Sequence, residues 1–559
     1  MKIFLAQQNY IIGDFEYNTR KIIEAIQAAK RQGGDLIIFS ELCVCGYPPR
    51  DFLEFDDFVE QCLAAVDRIR MAADTIGVLI GAPSRNPKIE GKDLHNSAYF
   101  LFEKEIKQVV HKSLLPNYDI FDEYRYFEPA AEWSCISFKG KKLAVTICED
   151  IWDLVDDPLY RCPPMDQLIA QQPDIMLNLS ASPFDYLHAE SRRAMVRKNV
   201  ARYKLPMIYC NTVGSQTEIV FDGGSLILDG EGRLVKELPF FEEMLFAVEW
   251  PGGAHFTGSS GSDVPAVEEV PRPEVLQPDW NIKSIHDALI MGIRHYFSKM
   301  GFEQAIVASS GGIDSAVVLA LACRALGPER VQAILMPSPF SSAHSVSDAE
   351  QLSRNLGNPY EVFAIKDIFE SVETTLAPLF GNLPFNVAEE NIQSRIRGLL
   401  AMALSNKFGY ILLNTSNKSE LAVGYGTLYG DMAGGLGVLG DVYKMQVYAL
   451  ARFINKDAEI IPANILAKAP SAELRPGQKD SDSLPDYTVL DAVLYQYIER
   501  RQGPEALIGS GFDRKLVHRV LQMVNRNEYK RSQFCPVIRV SPKSFGIGRR
   551  MPIVGKYLG

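Results

Sequence analysis

Residues 305–315 read Ala-Ile-Val-Ala-Ser-Ser-Gly-Gly-Ile-Asp-Ser, which predicts a short apolar strand, a Ser/Gly turn and the first turn of a helix. The two glycines allow positive φ and let the backbone approach a ligand closely. A turn that leads into a helix aims its N–H groups at one point, which suits phosphate. Asp314 lies where it could hold a cation that bridges phosphates. Because no Gly-Lys-Ser/Thr follows, the stretch is not a Walker A loop.

Length and composition limit the number of domains, the partners and the cellular setting that the chain could have. A chain of 559 residues predicts two or more domains, each with its own core. A net charge of −11 argues against bulk nucleic-acid binding, although local basic residues could still gather small anions. Nine cysteines without regular spacing do not suggest a disulfide framework, so we expect a reducing, cytoplasmic setting. We expect no signal peptide, and we find no apolar run long enough to span a membrane.

A shift in composition divides the chain. Residues 251–282 form a predicted linker, because the stretch from Pro251 to Asp279 is rich in Pro, Gly, Ser and Glu. In residues 1–250, short β-rich runs alternate with helical patterns, which predicts a layered α/β domain. In residues 283–559, helices flank strands in the pattern of an open parallel sheet. The ligand crevice of such a sheet lies at the carboxyl ends of its strands.

Three residues of the first domain each follow an apolar run: Glu41, Lys112 and Cys148. Each is therefore expected at the end of a strand, where side chains from separate strands can meet. A thiol needs a nearby base or cation to become a good nucleophile, a carboxylate can take its proton, and an ammonium can stabilise an oxyanion. Taken singly, the Cys is more often a buried core residue, and the Glu and the Lys are more often surface charges.

The local sequences around these residues are Ser-Glu-Leu at 40–42, His-Lys-Ser-Leu-Leu-Pro at 111–116 and Ile-Cys-Glu-Asp-Ile-Trp at 147–152. Together the three motifs resemble the Glu–Lys–Cys triad of the carbon–nitrogen hydrolase (nitrilase) superfamily. The resemblance implies an α-β-β-α sandwich that cleaves C–N bonds through a thioester. It makes Glu41 the general base, Cys148 the nucleophile and Lys112 the group that stabilises the tetrahedral intermediate. Glu123 is either an auxiliary carboxylate or a surface charge.

Glutaminase members of that superfamily have further contacts to glutamine, and some of them match here. The resemblance implies that Tyr118 and Ser182 contact glutamine and that Glu149 holds its α-amino group. The family often has a basic residue six places after the Ser, and here that residue is His188. A lone His is more often structural, so its role stays open.

The second domain carries several further motifs. The stretch at 310–315 looks like the SGGxDS loop of ATP pyrophosphatases, which implies a Rossmann-like parallel sheet. A predicted helix starts at Glu390 and includes Arg395 and Arg397, which point to different sides because they are two residues apart. A strand ends in Thr-Ser-Asn-Lys-Ser-Glu at 415–420, and Asp-Val-Tyr-Lys follows at 441–444. Residues 515–552 carry nine Lys or Arg against one acid; an RNA contact is conceivable, but a phosphate-binding flap is favoured.

This set resembles the NAD synthetase family, and with the first domain it resembles the glutamine-dependent form of that family. The resemblance implies ATP-binding, deamido-NAD-binding and Mg²⁺-binding residues. The ATP set is Ala308, Ser309, Ser310, Gly311, Gly312, Ile313, Asp314, Ser315, Thr415 and Lys444; the deamido-NAD set is Asn391, Arg395, Glu420 and Lys530; and the metal ligands are Asp314 and Glu420. Small ammonia-dependent relatives carry a substrate Lys eight residues after the Glu. Leu428 stands there in this chain, and Lys530 is the expected replacement.

The resulting hypothesis is an enzyme that hydrolyses glutamine to ammonia and uses ATP and Mg²⁺ to amidate deamido-NAD to NAD. Its partners are these small substrates, with no nucleic acid and no membrane. The resemblance also implies a homo-oligomer, often an octamer, and an ammonia tunnel. Two alternatives stay open: a nitrilase-type amidase with a regulatory nucleotide-binding domain, and a glutamine-fed ATP pyrophosphatase that amidates another acid.

Overall fold

The computed structural model of the chain describes residues 1–154, 157–257 and 273–557. It divides into two units, Met1–Pro271 and Arg272–Gly559. The Gly/Ser run of the predicted linker at 258–262 and Pro271-Arg272 lie outside the described residues. The first helix of the second unit begins at Ile282, next to the predicted domain boundary. None of the described helices combines the length and the apolar character needed to cross a bilayer.

The described part of the first unit contains fourteen strands and four α-helices. The strands are β1 (Lys2–Gln7), β2 (Leu36–Ile38), β3 (Gly77–Arg85), β4 (Leu94–Phe102), β5 (Glu105–His111), β6 (Ile136–Phe138), β7 (Lys141–Ile147), β8 (Ile175–Ser180), β9 (Met207–Asn211), β10 (Val213–Gln216), β11 (Ile219–Asp222), β12 (Leu226–Leu228), β13 (Leu234–Glu237) and β14 (Met244–Glu249). The helices are α1 (Phe15–Arg31), α2 (Asp56–Arg70), α3 (Pro164–Leu168) and α4 (His188–Tyr203).

Twelve of these strands form two six-stranded sheets in the described residues, in the orders β14-β1-β2-β3-β4-β5 and β13-β12-β9-β8-β7-β6, and β10 pairs with β11 in a small antiparallel sheet. One apolar core contains side chains from both sheets, such as Ile38 of β2 and Leu177 of β8, which are both fully buried. A second core packs α1 and α2 on the outer face of the first sheet, and a third packs α3 and α4 on the second. The unit is therefore an α-β-β-α sandwich, as the family resemblance implies.

Helix α1 shows why the outer layers form. Its buried residues include Ile22, Ala25, Ile26 and Ala29, which recur at helical spacing. Residues three and four apart lie on one side of a helix, so these side chains make a single apolar stripe that packs on the sheet. The Asp14 side chain accepts the Tyr17 N–H and thereby caps the start of the helix.

The described part of the second unit contains a five-stranded sheet and twelve α-helices. The strands are β15 (Ala305–Ala308), β16 (Val331–Leu335), β17 (Tyr360–Val362), β18 (Ile411–Asn414) and β19 (Leu436–Gly437). The helices are α5 (Ile282–Met300), α6 (Ile313–Leu326), α7 (Ala343–Leu356), α8 (Lys366–Phe380), α9 (Val387–Phe408), α10 (Lys418–Val423), α11 (Lys444–Ile454), α12 (Ala463–Ala467), α13 (Tyr487–Ile498), α14 (Pro504–Gly509), α15 (Arg514–Arg526) and α16 (Glu528–Arg531).

The sheet of the second unit is parallel throughout, and its strand order is β17-β16-β15-β18-β19. The chain moves to one side from β15 through β16 to β17, and then crosses to the other side of β15 for β18. Strands β15 and β18 therefore flank a topological switch point, where doubly wound sheets open a crevice at their carboxyl ends. The predicted open parallel sheet is confirmed.

Some predicted elements have different bounds. The sequence pattern of residues 58–76 predicts one helix, but α2 spans Asp56–Arg70, because the chain turns at residues 71–75 before β3. The helix predicted from Glu390 begins earlier, at Val387. Asn386 caps it, with a side chain that accepts the Ala388 N–H.

A buried ion pair offers a test of the first unit's stability. Arg192 donates two hydrogen bonds of 2.8 Å to Asp222, and both side chains are fully buried or nearly so. We expect Asp222→Ala to lower the free energy of unfolding by about 3–5 kcal/mol, because it leaves an unpaired buried guanidinium. Urea unfolding followed by tryptophan fluorescence would measure the change.

The matched control is Glu16→Ala. Glu16 accepts a similar two-bond contact from Arg68, but this pair is exposed on the surface. We expect no measurable change, because water replaces an exposed partner. Equal effects of the two substitutions would contradict the assignment of Arg192–Asp222 as a buried structural pair.

Candidate active sites

The first candidate site lies at the ends of strands from both sheets of the first unit. Lys112 directly follows β5, Cys148 directly follows β7, and Glu41 lies three residues after β2. Cys148 opens a short 3-10 turn, Cys148–Ile151, and has φ of 43°, in the left-handed region. A non-glycine residue held there has a strained conformation of the kind found at functional sites. All three predicted catalytic residues thus lie at or just beyond strand ends.

A buried lysine joins the carboxylates of this site. The Nζ atom of Lys112 lies 2.7 Å from Oε1 of Glu41 and 2.8 Å from both carboxylate oxygens of Glu123. Lys112 is 0% exposed and Glu123 is 5% exposed. Glu123 is therefore a buried partner of the lysine, and the alternative of a surface charge is wrong.

Three further groups hold the two carboxylates in place. The Asn96 side-chain amide donates to Oε1 of Glu41 at 2.7 Å, and the Ala181 N–H donates to Oε2 at 3.0 Å. The Tyr47 hydroxyl donates to Oε1 of Glu123 at 2.9 Å. No motif marks Asn96 or Tyr47, since their roles depend on contacts between distant segments.

Burial and charge set the protonation of the site. Burial favours a neutral Lys112, but Glu123 and Glu41 outweigh it and hold the pKa of the ammonium well above its usual value. Burial also raises the pKa of the Cys148 thiol, and Glu41 adds to that rise while Lys112 opposes it. The resting thiol is therefore protonated and needs a base. Burial raises the pKa of Glu123 to about 7, against the pull of Lys112.

The residues predicted to contact glutamine form two pairs. The Tyr118 hydroxyl donates to Oε1 of Glu149 at 2.8 Å, and burial raises the pKa of this carboxyl. Ser182 Oγ lies 2.6 Å from Nε2 of His188, whose ring stacks on Trp152. The structure thus pairs Tyr118 with Glu149 and Ser182 with His188.

One tyrosine near these pairs carries no motif. The Tyr160 hydroxyl donates to the same Oε1 atom of Glu149 as Tyr118, at 3.3 Å. Burial raises the pKa of Tyr160, and Glu149 adds to that rise, so the phenol stays protonated and able to donate. Glu149 therefore lies between two hydroxyl donors.

The second candidate site begins at the turn after β15. Gly311 has φ of 76°, and a Cβ added there would lie 2.2 Å from the carbonyl oxygen of Ser345. A larger residue would therefore need both a strained backbone and a displaced helix α7. The Ser310 N–H donates to Oγ of Ser315, and the Gly312 N–H donates to Oγ of Ser310. These bonds fix the shape of the turn at the start of α6.

A second buried lysine joins two carboxylates at this site. Nζ of Lys444 lies 2.5 Å from Oδ2 of Asp314 and 3.2 Å from Oε1 of Glu420. Asn417 donates from its side chain to Oδ1 of Asp314 at 2.8 Å, and its own Oδ1 accepts the Glu420 N–H. Burial raises the pKa of Glu420 to about 8; Lys444 opposes the rise and Asp314 adds to it.

Asp314, Glu420 and Lys444 line a cavity of about 290 Å³ at the switch point. Most of the predicted ATP set lines it: Ala308, Ser309, Ser310, Gly312, Ile313, Asp314, Ser315, Thr415 and Lys444, with Glu420 beside them. Burial lowers the pKa of Arg397, another lining residue, to about 10. Arg397 belongs to the predicted helix but not to the predicted sites, because spacing alone does not say which side of a helix faces a ligand.

The predicted deamido-NAD residues lie around the neighbouring loop at 424–430. Nζ of Lys530 donates to the carbonyl oxygens of Gly424 and Gly426, each at 2.8 Å. Asn391 accepts a hydrogen bond of 2.7 Å from the Thr427 hydroxyl. Arg395 is exposed, and its Nε donates to the Leu428 carbonyl at 3.3 Å. Lys530 thus contacts the same loop that holds Leu428.

One acidic residue of the cavity carries no motif. Asp480 is buried and accepts hydrogen bonds from the hydroxyls of Tyr425 and Tyr487, at 3.1 and 2.9 Å. Burial raises the pKa of Asp480, and Lys444 opposes that rise. The residue opens a short 3-10 turn, Asp480–Asp482, after α12.

Comparisons with known proteins agree with this architecture. A model of the carbon-nitrogen hydrolase family matches residues 2–249, and a model of the NAD synthase family matches residues 285–534. The chain is 42% identical to the glutamine-dependent NAD(+) synthetase of Synechocystis sp. over 559 residues, covering 99% of this chain and 98% of that one. It is 39% identical to the Thermotoga maritima protein of the same name over 588 residues, covering 100% and 99%.

Solved structures match the chain along its whole length. The glutamine-dependent NAD+ synthetase of Acinetobacter baumannii, in complex with adenosine diphosphate, superposes with a TM-score of 0.75 at 37% identity, over 99% of this chain and 98% of that one. The Cytophaga hutchinsonii structure of that name shares the fold, with a TM-score of 0.80 at 20% identity over 100% and 98%. With both candidate sites present and the similarity running the length of the chain, this protein belongs to the glutamine-dependent NAD(+) synthetase family.

Proposed function

We propose that the chain hydrolyses glutamine in its first unit and uses ATP in its second to convert deamido-NAD to NAD. The observation that carries the proposal is the presence of two separate polar centres in one chain. In one, Lys112 lies between two carboxylates near a buried thiol; in the other, Lys444 lies between two carboxylates beside a phosphate-type loop. Each centre has the groups that its half of the reaction needs.

In the first centre, Glu41 takes the proton of the Cys148 thiol, and the sulfur attacks the side-chain amide carbon of glutamine. The Lys112 ammonium stabilises the negative oxygen of the tetrahedral intermediate. The proton passes to the departing nitrogen, ammonia leaves, and a thioester remains. Water then attacks the thioester, with Glu41 again as the base, and glutamate is released. The residues proposed to hold the glutamine are Tyr118, Glu149, Ser182 and His188.

In the second centre, the nicotinate carboxylate attacks the α-phosphorus of ATP, pyrophosphate leaves, and an adenylate forms. Ammonia then displaces AMP to give the amide. The Ser/Gly turn and the start of α6 offer N–H groups to phosphate oxygens. Lys444 and Thr415 are proposed to contact ATP. The residues proposed to contact deamido-NAD are Asn391, Arg395, Glu420 and Lys530.

The carboxylates of Asp314 and Glu420 fit a magnesium ion. Both are hard oxygen donors, which Mg²⁺ prefers, and together they outnumber the single ammonium of Lys444 that contacts them. Asp314 and Glu420 are proposed to hold the ion. When bound, it would neutralise the charge that develops on the phosphates.

Two further predictions stay open within this proposal. A homo-oligomer, which in this family is often an octamer, and a cytoplasmic location are expected from the resemblance and from the composition. Size-exclusion chromatography with light scattering would give the number of subunits.

The division of labour is tested by Cys148→Ala. With ATP and deamido-NAD present, we expect NAD formation from glutamine to fall at least about 10³-fold, because the nucleophile is lost. NAD formation from ammonium should be retained, because the second centre is intact. Coupled detection of NAD with each nitrogen source measures both rates.

The matched control is Cys135→Ala, which removes a thiol of the same unit that faces the Leu168 carbonyl instead of the site. It should retain both activities. Equal loss of the two activities in a folded Cys148→Ala variant would contradict the proposal, and so would a wild-type enzyme that forms no NAD from either source.

We expect Asp314→Asn to impair NAD formation while it leaves glutamine hydrolysis intact. Loss of a carboxylate beside Lys444 should lower NAD formation roughly 100-fold with either nitrogen source, because charge stabilisation at the phosphates is weakened. Release of glutamate from glutamine should persist. Asp457→Asn, at an exposed acid of the same unit, serves as the control and should leave both reactions unchanged. Normal NAD formation by Asp314→Asn would refute the assigned role.

A further inference from the structure

The carboxylate of Asp150 connects two segments beside the proposed glutamine site. Asp150 is 3% exposed and lies in the 3-10 turn Cys148–Ile151. Its Oδ1 atom accepts the N–H groups of Ser113 and Leu114, both at 2.9 Å. Its Oδ2 atom accepts the N–H group of Ile147, also at 2.9 Å. Three backbone donors thus converge on one buried side chain.

Those donors flank two of the proposed catalytic residues. Ser113 directly follows Lys112, and Ile147 directly precedes Cys148. Lys112 extends from β5 in one sheet, whereas Cys148 extends from β7 in the other. Facing sheets contact each other through side chains, so no ladder of backbone hydrogen bonds fixes one strand end against the other. The Asp150 carboxylate supplies a direct link between the two ends.

An ionised carboxylate suits this position. It is an acceptor only, so both oxygens can face N–H donors. Burial raises the pKa of Asp150 to about 6, and the bonds from Ile147, Leu114 and Ser113 oppose that rise. The group is therefore ionised at neutral pH, and its hydrogen bonds are charge-assisted. An amide in its place would turn an NH₂ group toward one of the donors.

We propose that Asp150 is a positioning residue for glutamine hydrolysis. It fixes the position of the Lys112 ammonium, on one sheet, relative to the Cys148 sulfur, on the other. The proposal rests on the proposed function of the first unit. The bond to Ile147 alone would only cap the turn. The bonds to Ser113 and Leu114 reach the opposite sheet, and they assign the residue a role in the spacing of the reacting groups.

The test is Asp150→Asn in the full-length chain, with glutamate release measured over a range of glutamine concentrations. We expect kcat to fall roughly 10- to 100-fold, because a small displacement of reacting groups is costly. KM for glutamine should change little, because the proposed glutamine contacts remain. Asp150→Ala, which removes both oxygens, should lower kcat further. NAD formation from ammonium should be unchanged in both variants.

The matched control is Asp174→Asn. Asp174 accepts the N–H group of Lys142 at 2.8 Å, at the opposite end of β7 from Cys148. It is thus another carboxylate that binds the backbone of the same strand, but away from the site. We expect a wild-type kcat for glutamine hydrolysis in this variant.

Amide hydrogen exchange separates positioning from folding. In Asp150→Asn, faster exchange confined to the segments around Ser113 and Ile147, together with lowered kcat, would support the proposal. A wild-type kcat would overturn it, and so would loss of protection throughout both sheets, which would make Asp150 a structural requirement. Absence of glutamate release by the wild type would refute the proposed glutamine hydrolysis itself, and this role with it.

Discussion

The buried ammonium of Lys112 is the constraint on which the first unit's site depends. A charge removed from water is costly unless it is paired and hydrogen-bonded. The carboxylates of Glu41 and Glu123 supply that pairing, and Asn96 and Tyr47 in turn hold the carboxylates. The loop after β2, the end of β5 and the segment that carries Glu123 must therefore meet. The ion pairs that stabilise the buried ammonium therefore also bring a carboxylate and a cation close to the Cys148 thiol.

The second unit also buries a lysine between two carboxylates, but in a different setting. Lys444 is nearly as buried, but its partners Asp314 and Glu420 face the cavity at the switch point. Bound phosphates would bring further negative charge to this place, which the ammonium of Lys444 would help to offset. The raised pKa of Glu420, about 8, reflects burial and a neighbouring carboxylate that one ammonium does not fully balance. A cation beside Glu420 would favour the ionised form of that carboxyl.

Much of this arrangement could be predicted from sequence, because its main signals are local. Apolar runs indicate that Lys112 and Cys148 follow strands, and the Ser/Gly turn indicates that Asp314 lies at the start of a helix; the structure has them there. Asp150 and Asp480 could not be selected in the same way, because their partners lie in other segments and become neighbours only when the sheets or loops pack. Helical spacing indicated that the side chains of Arg395 and Arg397 point to different sides of the helix. It did not indicate which of the two faces the cavity.

The two chemistries also explain why both centres belong in one chain. A carboxylate is a poor electrophile until it is adenylated, and ammonia in bulk water near neutral pH is mostly ammonium, which has no lone pair for the attack. The first centre must therefore release its nitrogen uncharged. In the proposed reaction the amide nitrogen departs with two hydrogens, and the single proton of the Cys148 thiol completes NH₃. The carboxylates of Glu123 and Glu41 hold the pKa of the Lys112 ammonium well above its usual value, so this lysine is not a source of a second proton. The ion pairs that stabilise the buried Lys112 ammonium thus also keep its proton from the leaving nitrogen.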